Sequence, residues 1–209
     1  MRTIIAASVF ISWVCAGYAQ SQAELKKRVD LLEERVAKLE ASIGKPAAKE
    51  GAAATKEEIV AAEREKARAR MRKDLEVYSR EDLGKIEKLY QVANNEWKTD
   101  AGVQSLQALI AQYGKANRTG CALLYLGQMT QGDERVHYLV QAIKDFGDCY
   151  YGNGVQVGAY ARLHLAGFYR KAGQTAKAEA LIKEIKELYP NAIDHRGNLL
   201  ADIIAKENK

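Results

Sequence analysis

Two cysteines in the C-terminal half of the chain are of the type and placement that form a structural disulfide bond. Cys121 and Cys149 match no metal-binding or redox spacing. We place Cys121 near the start of one helix of an antiparallel pair and Cys149 just after the end of the other, where the two ends are neighbours. In an oxidising compartment this arrangement predicts a disulfide that contributes on the order of 3–4 kcal/mol in the chain-entropy model. The alternative is that both side chains are small buried hydrophobes.

The three histidines form no catalytic or metal-binding pattern. His137, His164 and His195 lie in no metal-spaced pair, and the chain has neither a nucleophile-elbow nor a zincin motif. We expect structural roles for His137 and His164, because both fall within predicted helices. The sequence therefore predicts a protein that is not an enzyme, with no catalytic residue, no metal ion and no cofactor.

A glycine-rich stretch at 147–158 contains four glycines and the adjacent Tyr150 and Tyr151. Exposed aromatic side chains on a fixed scaffold are good anchors, which makes the two tyrosines candidate partner-binding residues. Equally, they could pack over the core of the repeats. No Gly-Lys-Ser/Thr follows the glycines, so the stretch is not a phosphate-binding loop.

A polar cluster near the C-terminus offers a second candidate site. Asp194, His195 and Arg196 follow Pro190 closely, and His195 and Arg196 could contact a partner. Asp194 favours a different role, because an aspartate near a helix N-terminus can accept hydrogen bonds from backbone N–H groups and so cap the last helix.

The elements that must position these residues are helix pairs. Residues 159–190 contain a helix, a turn at Gly173, a second helix and a closing Pro190, all within about 34 residues. They resemble a tetratricopeptide repeat (TPR), in which a large residue followed by a small one, here Leu165 and Ala166, lets the paired helix approach closely. The other matching positions are Tyr169, Ala178 and Ile182; Arg162 and Ile185 stand where the repeat prefers Trp and Ala.

Two weaker copies of the repeat precede this one. The aromatic markers Tyr113, Phe146 and Tyr189 are 33 and 43 residues apart, and the stretch 147–158 lengthens the second interval. No segment alternates with period two, so we predict an all-α fold, a TPR-like α-solenoid of about three helix pairs. A final helix should cover the open end. The predicted ranges are 81–114, 118–147 and 156–190 for the pairs and 196–207 for the last helix.

The N-terminus predicts a secretory signal peptide, residues 1–19. A basic start is followed by an apolar run of 11 residues, Ile4 to Val14, and by small residues up to Ala19. The run is too short for an ordinary transmembrane helix. Cys15 leaves a lipoprotein as an alternative, although the residues before it differ from a lipobox. We therefore expect an exported protein that is soluble and periplasmic or secreted.

Residues 20–43 carry an apolar heptad seam with attractive charge pairs at its flanking positions. The seam predicts a parallel homo-oligomer; the alternative is an amphipathic helix packed on its own domain. Two copies of the pattern Arg-hydrophobic-x-x-hydrophobic-Glu, at 28–33 and 35–40, resemble a trimerisation motif and favour a trimer over a dimer. The seam residues are Leu25, Val29, Leu32, Val36, Leu39 and Ile43.

Two segments connect this seam to the repeats. Residues 44–55 are small and polar, are interrupted by Pro46 and predict a flexible linker. Residues 56–78 predict a helix, and the six basic side chains within 64–73 could contact anionic lipid or another polyanion. Acidic neighbours dilute this charge, so the alternative is a solvated helix face. The net charge of +5 is mild, and without a nucleic-acid-binding motif we predict no nucleic-acid partner.

The order of these parts resembles that of the periplasmic cell-division coordinators associated with the Tol–Pal system, which join a coiled coil to a TPR domain. The corresponding domain here spans residues 79–209. The resemblance implies a non-enzymatic adaptor of the cell envelope whose repeats bind a protein or peptide. This scaffold is the leading hypothesis, and peripheral binding of anionic lipid or polyanion through the basic helix is the alternative.

Overall fold

The computed structural model describes residues 54–207, together with Lys27. Three predictions therefore lie outside the described residues: the signal peptide, the seam from Leu25 to Ile43 and all but the last two residues of the linker. Residues 54–207 contain eight α-helices and one short 3₁₀ helix, Asp74–Glu76, which follows the first of them. The α-helices are α1 (Lys56–Lys73), α2 (Arg80–Asn95), α3 (Asp100–Gln112), α4 (Asn117–Met129), α5 (Gly132–Asp145), α6 (Val157–Lys171), α7 (Thr175–Leu188) and α8 (Leu200–Glu207).

Hydroxyl side chains begin the first three α-helices. Thr55 accepts a hydrogen bond from the backbone N–H of Glu58, while the Glu58 carboxylate accepts one from the backbone N–H of Thr55, and the two bonds form a capping box. Ser79 caps α2 and Thr99 caps α3 in the same way. Since the first N–H groups of a helix have no partner within it, these side chains set where each helix begins.

The helices pack as consecutive pairs, α2 with α3, α4 with α5 and α6 with α7. The second helix of each pair also packs against the first helix of the next, and α4 adjoins both α2 and α6. The predicted all-α class and the three predicted pairs are confirmed, with boundaries within a few residues. Among residues 54–207 the only strand-like contacts are two isolated bridges, Tyr150 with Gln156 and Ile193 with Leu199.

The apolar residues that the repeat pattern selects lie inside the molecule. Leu165, Ala166 and Ile185 are at most 2% exposed, and Ala178 and Ile182 are also buried. Full burial of a leucine or isoleucine side chain contributes about 1.5–3 kcal/mol. The largest fully buried side chains include Leu106, Leu109, Leu123, Leu124, Leu126 and Leu139.

The last helix covers the open end of the stack, as predicted. Leu200 and Ile204 of α8 are fully buried and join Ile182 and Ile185 of α7 in one cluster. The helix begins at Leu200 rather than at 196, because a loop with an isolated bridge precedes it. None of the described helices is both long and apolar enough to cross a membrane.

Small residues let the paired helices approach closely, as the repeat pattern requires. A Cβ atom on Gly127 of α4 would lie 2.5 Å from Cδ2 of Leu139 on α5. Gly158, at the start of α6, lies so close to Gly147 that a Cβ atom there would meet the Gly147 carbonyl oxygen at 2.7 Å. Gly173 has φ +72° after the end of α6, the conformation expected of a glycine in that turn.

The contact at Gly127 generates a stability prediction with a matched control. We expect Gly127→Ala to destabilise the fold by about 1–3 kcal/mol, because the added methyl group overlaps a fully buried Leu139. Gly167 lies within α6, and nothing lies within 4 Å of a Cβ atom added there. Gly167→Ala should therefore stabilise the protein by about 0.5–1 kcal/mol through helix propensity. Urea unfolding of both variants measures the difference, and equal stabilities would contradict the packing argument.

Candidate functional site

The glycine-rich stretch 147–158 holds α1 against the repeats. Gly154 has φ +98°, and a Cβ atom there would lie 3.0 Å from the backbone of Glu63 and Arg64 in α1. Tyr150 is 8% exposed and Tyr151 is 6% exposed. The prediction that these tyrosines are exposed anchors is therefore wrong, because the loop turns both side chains into the core, which was the alternative.

A buried carboxylate joins α1, the repeats and this loop. Asp74, in the 3₁₀ helix, accepts hydrogen bonds from Arg70 Nη1 at 2.9 Å and from the backbone N–H of Asn117 at 2.9 Å. The Asn117 side chain donates to the carbonyl oxygen of Tyr150 at 2.7 Å and accepts from the Tyr150 N–H at 2.8 Å. Asn117 is the first residue of α4, so Asp74 also lies at the positive end of that helix.

The two cysteines do not form the predicted disulfide; both are free, buried thiols. Gly120, one residue before Cys121, is the residue that faces Cys149, and a Cβ atom there would lie 2.9 Å from Cys149 Sγ. Since successive side chains of a helix point about 100° apart, Cys121 points in a different direction from Gly120. Its thiol donates a hydrogen bond to the Tyr150 carbonyl oxygen at 3.4 Å. Burial raises the pKa of each thiol to about 12. The two cysteines are the buried small side chains of the alternative.

Arg70 completes the contact between α1 and the loop. Its Nη2 group lies 3.4 Å from Cys149 Sγ, and its Nε lies 3.3 Å from the Asp148 carboxylate. Other basic side chains of α1 pair within the helix: Lys66 with Glu63 at 2.7 Å, and Arg68 and Arg72 with Glu65. The basic helix ends at Lys73 instead of 78. Much of its positive charge is therefore neutralised internally.

A cleft of about 350 Å³ lies between α1 and the loop 194–198; we call it the α1 cleft. Asp194 organises this loop by accepting hydrogen bonds from the backbone N–H groups of Arg196 and Asn198, both at 2.8 Å. The predicted capping of the last helix by Asp194 is thus wrong, since these bonds stay within the loop. The cleft is lined by Lys56, Glu57, Val60, Ala61, Arg64, Asn153, His195, Arg196 and Gly197.

His195 connects this cleft to a chain of ring contacts that we call the aromatic row. Its ring meets Tyr151 edge-on at 4.9 Å between centroids, and Tyr151 meets Tyr125 at 6.1 Å. On the other side His195 meets Tyr160 at 5.2 Å. The row consists of Trp97, Tyr125, Tyr151, His195, Tyr160 and His164, each in contact with the next.

The first and last rings of this row, Trp97 and His164, both line one pocket of about 190 Å³, which we call the Arg135 pocket. It is lined by Trp97, Gly127, Gln128, Arg135 and His164. Arg135, on α5, is held by a 2.8 Å hydrogen bond from its Nε to the Thr130 carbonyl oxygen. Gln128 Nε2 and His164 Nε2 are buried and have no hydrogen-bond partner among the described residues. Burial, and secondarily the charge of Arg135, lowers the pKa of His164 to about 4.

Trp97 is an exposed ring at one end of the aromatic row. It lies in the turn between α2 and α3, is 40% exposed and contacts Tyr125, with the ring centroids 5.1 Å apart and the ring planes inclined by 56°. The next residue, Lys98, has φ +63°, a conformation that non-glycine residues rarely adopt. The hydroxyl of Tyr125 donates to Asn94 at 2.5 Å, which fixes the ring beneath Trp97.

Of the four predicted partner-binding residues, the structure leaves His195 and Arg196 exposed at the α1 cleft and buries Tyr150 and Tyr151. It does not bring Arg196 into the Arg135 pocket. Sequence reasoning missed Trp97, Gln128 and Arg135, and it assigned His164 only a structural role. A tryptophan in a short polar turn between two helices was the one local signal for this site. In residues 54–207 no group of three His, Cys, Asp or Glu side chains could hold a metal ion.

Comparison of the chain with models of protein families, with curated proteins and with solved structures finds no match. Among the described residues, the features that bear on function are the aromatic row and the two pockets beside it.

The contacts of Asp74 predict how α1 is attached. Asp74→Ala should destabilise the protein by about 2–4 kcal/mol, because it leaves Arg70 and the Asn117 N–H buried without their acceptor. Glu65→Ala is the matched control, since Glu65 is also paired with arginines of α1 but is exposed, and we expect little change. Urea unfolding and hydrogen exchange of residues 56–73 measure both effects. Equal losses in the two variants would be inconsistent with the role of Asp74.

Proposed function

We propose that this chain is a non-enzymatic protein-interaction scaffold whose helix pairs present Trp97, at one end of the aromatic row, and the adjoining Arg135 pocket to a protein or peptide partner. The single observation that carries the proposal is Trp97, which is 40% exposed, contacts the Tyr125 ring and borders a pocket whose buried polar atoms have no hydrogen-bond partner within residues 54–207. Tryptophan and arginine are enriched among residues that dominate binding energy at protein interfaces. Stacks of helix pairs commonly use extended surfaces of this kind for binding.

Neighbouring side chains hold Tyr125 in place next to Trp97, and a fixed surface of this kind favours binding rather than catalysis. Tyr125 stacks on the buried Tyr90 at 5.5 Å, and the Arg118 guanidinium lies 4.2 Å above the same Tyr90 ring while pairing with Glu87. A ring that is already fixed loses little conformational entropy when a partner covers it. This side of the repeats thus combines pre-organised aromatic area with cationic groups.

The N-terminal sequence supports an envelope location for the scaffold. The basic start, the apolar run and Ala19 are typical of a signal peptide, so we propose that the protein is exported to the periplasm or secreted. The heptad seam favours a homo-oligomer, with a trimer preferred over a dimer. Several copies of the aromatic row on one oligomer would raise the avidity for a partner that carries repeated sites.

This function can be tested with peptides from a random display library that are selected for binding to the exported form of the chain. Trp97→Ala should weaken their binding about thirtyfold, which corresponds to the roughly 2 kcal/mol expected for a central tryptophan. Leu188→Ala is the control, because Leu188 is 62% exposed on α7 and lies outside the aromatic row. Fluorescence anisotropy with labelled peptides gives the affinities. Binding that survives Trp97→Ala, or that Leu188→Ala weakens equally, would count against the scaffold.

A second candidate function is peripheral binding of an anionic lipid or polyanion at the α1 cleft. The observation that favours it is the excess of Lys56, Arg64 and Arg196 over one acidic side chain, Glu57, in the lining. Four other basic residues of α1 contribute less, because Lys66, Arg68, Arg70 and Arg72 are paired with carboxylates. The candidate lipid-binding site therefore consists of the basic residues that line the α1 cleft and does not extend over the whole basic helix.

Co-sedimentation with phosphatidylglycerol-containing vesicles tests this candidate. The combined change of Arg64→Gln and Arg196→Gln should abolish the sedimented fraction, while Arg68→Gln with Arg72→Gln should leave most of it. Binding should also weaken steadily as salt rises, since charges at the surface are screened. A sedimented fraction that salt does not change, or that the two pairs reduce equally, would exclude the α1 cleft as the lipid site.

A further inference from the structure

We infer that the Arg135 pocket binds a carboxylate group of the peptide ligand, whose neighbouring side chain lies on the Trp97 ring. The inference rests on the proposed function in taking this side of the repeats as the surface that the peptide occupies. It adds the chemical group that the surface recognises. The carboxylate could be an Asp or Glu side chain or the C-terminus of the peptide, since both present the same pair of oxygen atoms.

The Arg135 pocket contains buried polar atoms that have no hydrogen-bond partner among the described residues. Buried polar atoms in native proteins nearly always have a partner, so each exception requires an explanation. Here two exceptions, Gln128 Nε2 and His164 Nε2, line one pocket from two different helices, α4 and α6. A ligand with hydrogen-bond acceptors would satisfy both atoms at once.

The positive charge of the Arg135 pocket favours an anionic group. Arg135 is the only charged residue in the lining of this pocket, and its Nε is already used by the Thr130 carbonyl oxygen. That bond orients the guanidinium, while its outer N–H groups make no described hydrogen bond or ion pair. His164 is neutral near pH 7, so it can donate a hydrogen bond without adding a second positive charge. Cations are disfavoured by Arg135, and a carboxylate accepts from three donors through charge-assisted bonds.

The surroundings of the Arg135 pocket offer a surface for the side chain next to the carboxylate. Trp97 lies on its rim and remains accessible, so a side chain next to the carboxylate would meet an aromatic face. A volume of about 190 Å³ is sufficient for a carboxylate group together with the atoms that carry it. Gly127 forms part of the wall, where its missing side chain is also required by the contact with Leu139.

Three small probes separate the two sources of the carboxylate. N-acetyl-glutamate amide carries a side-chain carboxylate, N-acetyl-glycine carries a C-terminal carboxylate, and N-acetyl-glutamine amide is a neutral control of similar size. Titrations are followed by the imidazole proton signals of the exported chain, which contains only three histidines. His164→Gln assigns the signal of interest, and His137, exposed on α5, provides the reference signal that should not move.

We expect one or both carboxylate probes to shift the His164 signal in a saturable way. Arg135→Gln should weaken this binding about tenfold or more, as loss of a charge-assisted hydrogen bond does, whereas Lys144→Gln on the same helix should not. Which of the two carboxylates binds more tightly identifies the source. An equal shift with the neutral amide, no saturable shift with any probe, or equal weakening by Lys144→Gln would each overturn the inference.

The outcomes also separate this inference from the proposed function. If selected peptides depend on Trp97 but neither carboxylate probe moves the His164 signal, the scaffold stands and the carboxylate pocket is wrong. If the probes bind through Arg135 but the affinity of selected peptides does not depend on Trp97, the pocket stands as a carboxylate site and the peptide-binding function fails.

Discussion

The hydrogen bonds of Asp74 are the constraint that fixes α1 and the glycine-rich loop on the repeats. Helix α1 has little apolar surface to bury: within it only Glu63 and Ala67 are buried. Its attachment must therefore come largely from specific polar contacts, and Asp74 joins Arg70 of α1 to the N-terminus of α4. Through Asn117 the same network fixes the backbone at Tyr150, which sets the path of the glycine-rich loop. This network holds the α1 wall of the α1 cleft, whereas the hydrogen bonds of Asp194 hold the opposite wall, the loop 194–198.

Close packing of the helices sets the second constraint, and small residues provide it. Gly127 lets α5 approach α4, and Gly158 with Gly147 lets the loop cross the start of α6. At these crossings an added methyl group would meet atoms that cannot move freely. The same approach places Gly127 in the wall of the Arg135 pocket, so the packing of the repeats also shapes the candidate binding site.

The distribution of charge follows from these attachments. Arg70 and Arg162 are largely buried and are paired with Asp74 and Glu184, respectively, so they contribute to structure rather than to the surface field. Arg135 and Arg196 differ, since each lines an open pocket beside the aromatic row. The row joins the two pockets through His195, Tyr160 and His164, with ring contacts of 5.2 and 4.8 Å. Each of these two arginines therefore lies beside an exposed ring of the row, Arg135 beside Trp97 and Arg196 beside His195.

The sequence by itself determined the helices, their pairing and the covering role of the last helix. These features follow from local signals: the 3.6-residue period that buries Leu165 and Ile182, the Thr55 capping box and the positive φ at Gly173. Only the tertiary structure decided the direction of Tyr150 and Tyr151, the separate partners of the two cysteines and the meeting of Gln128, Arg135 and His164. Those outcomes depend on how each helix is rotated and where the loops run, and a rotation of one residue is enough to exchange Gly120 for Cys121 opposite Cys149.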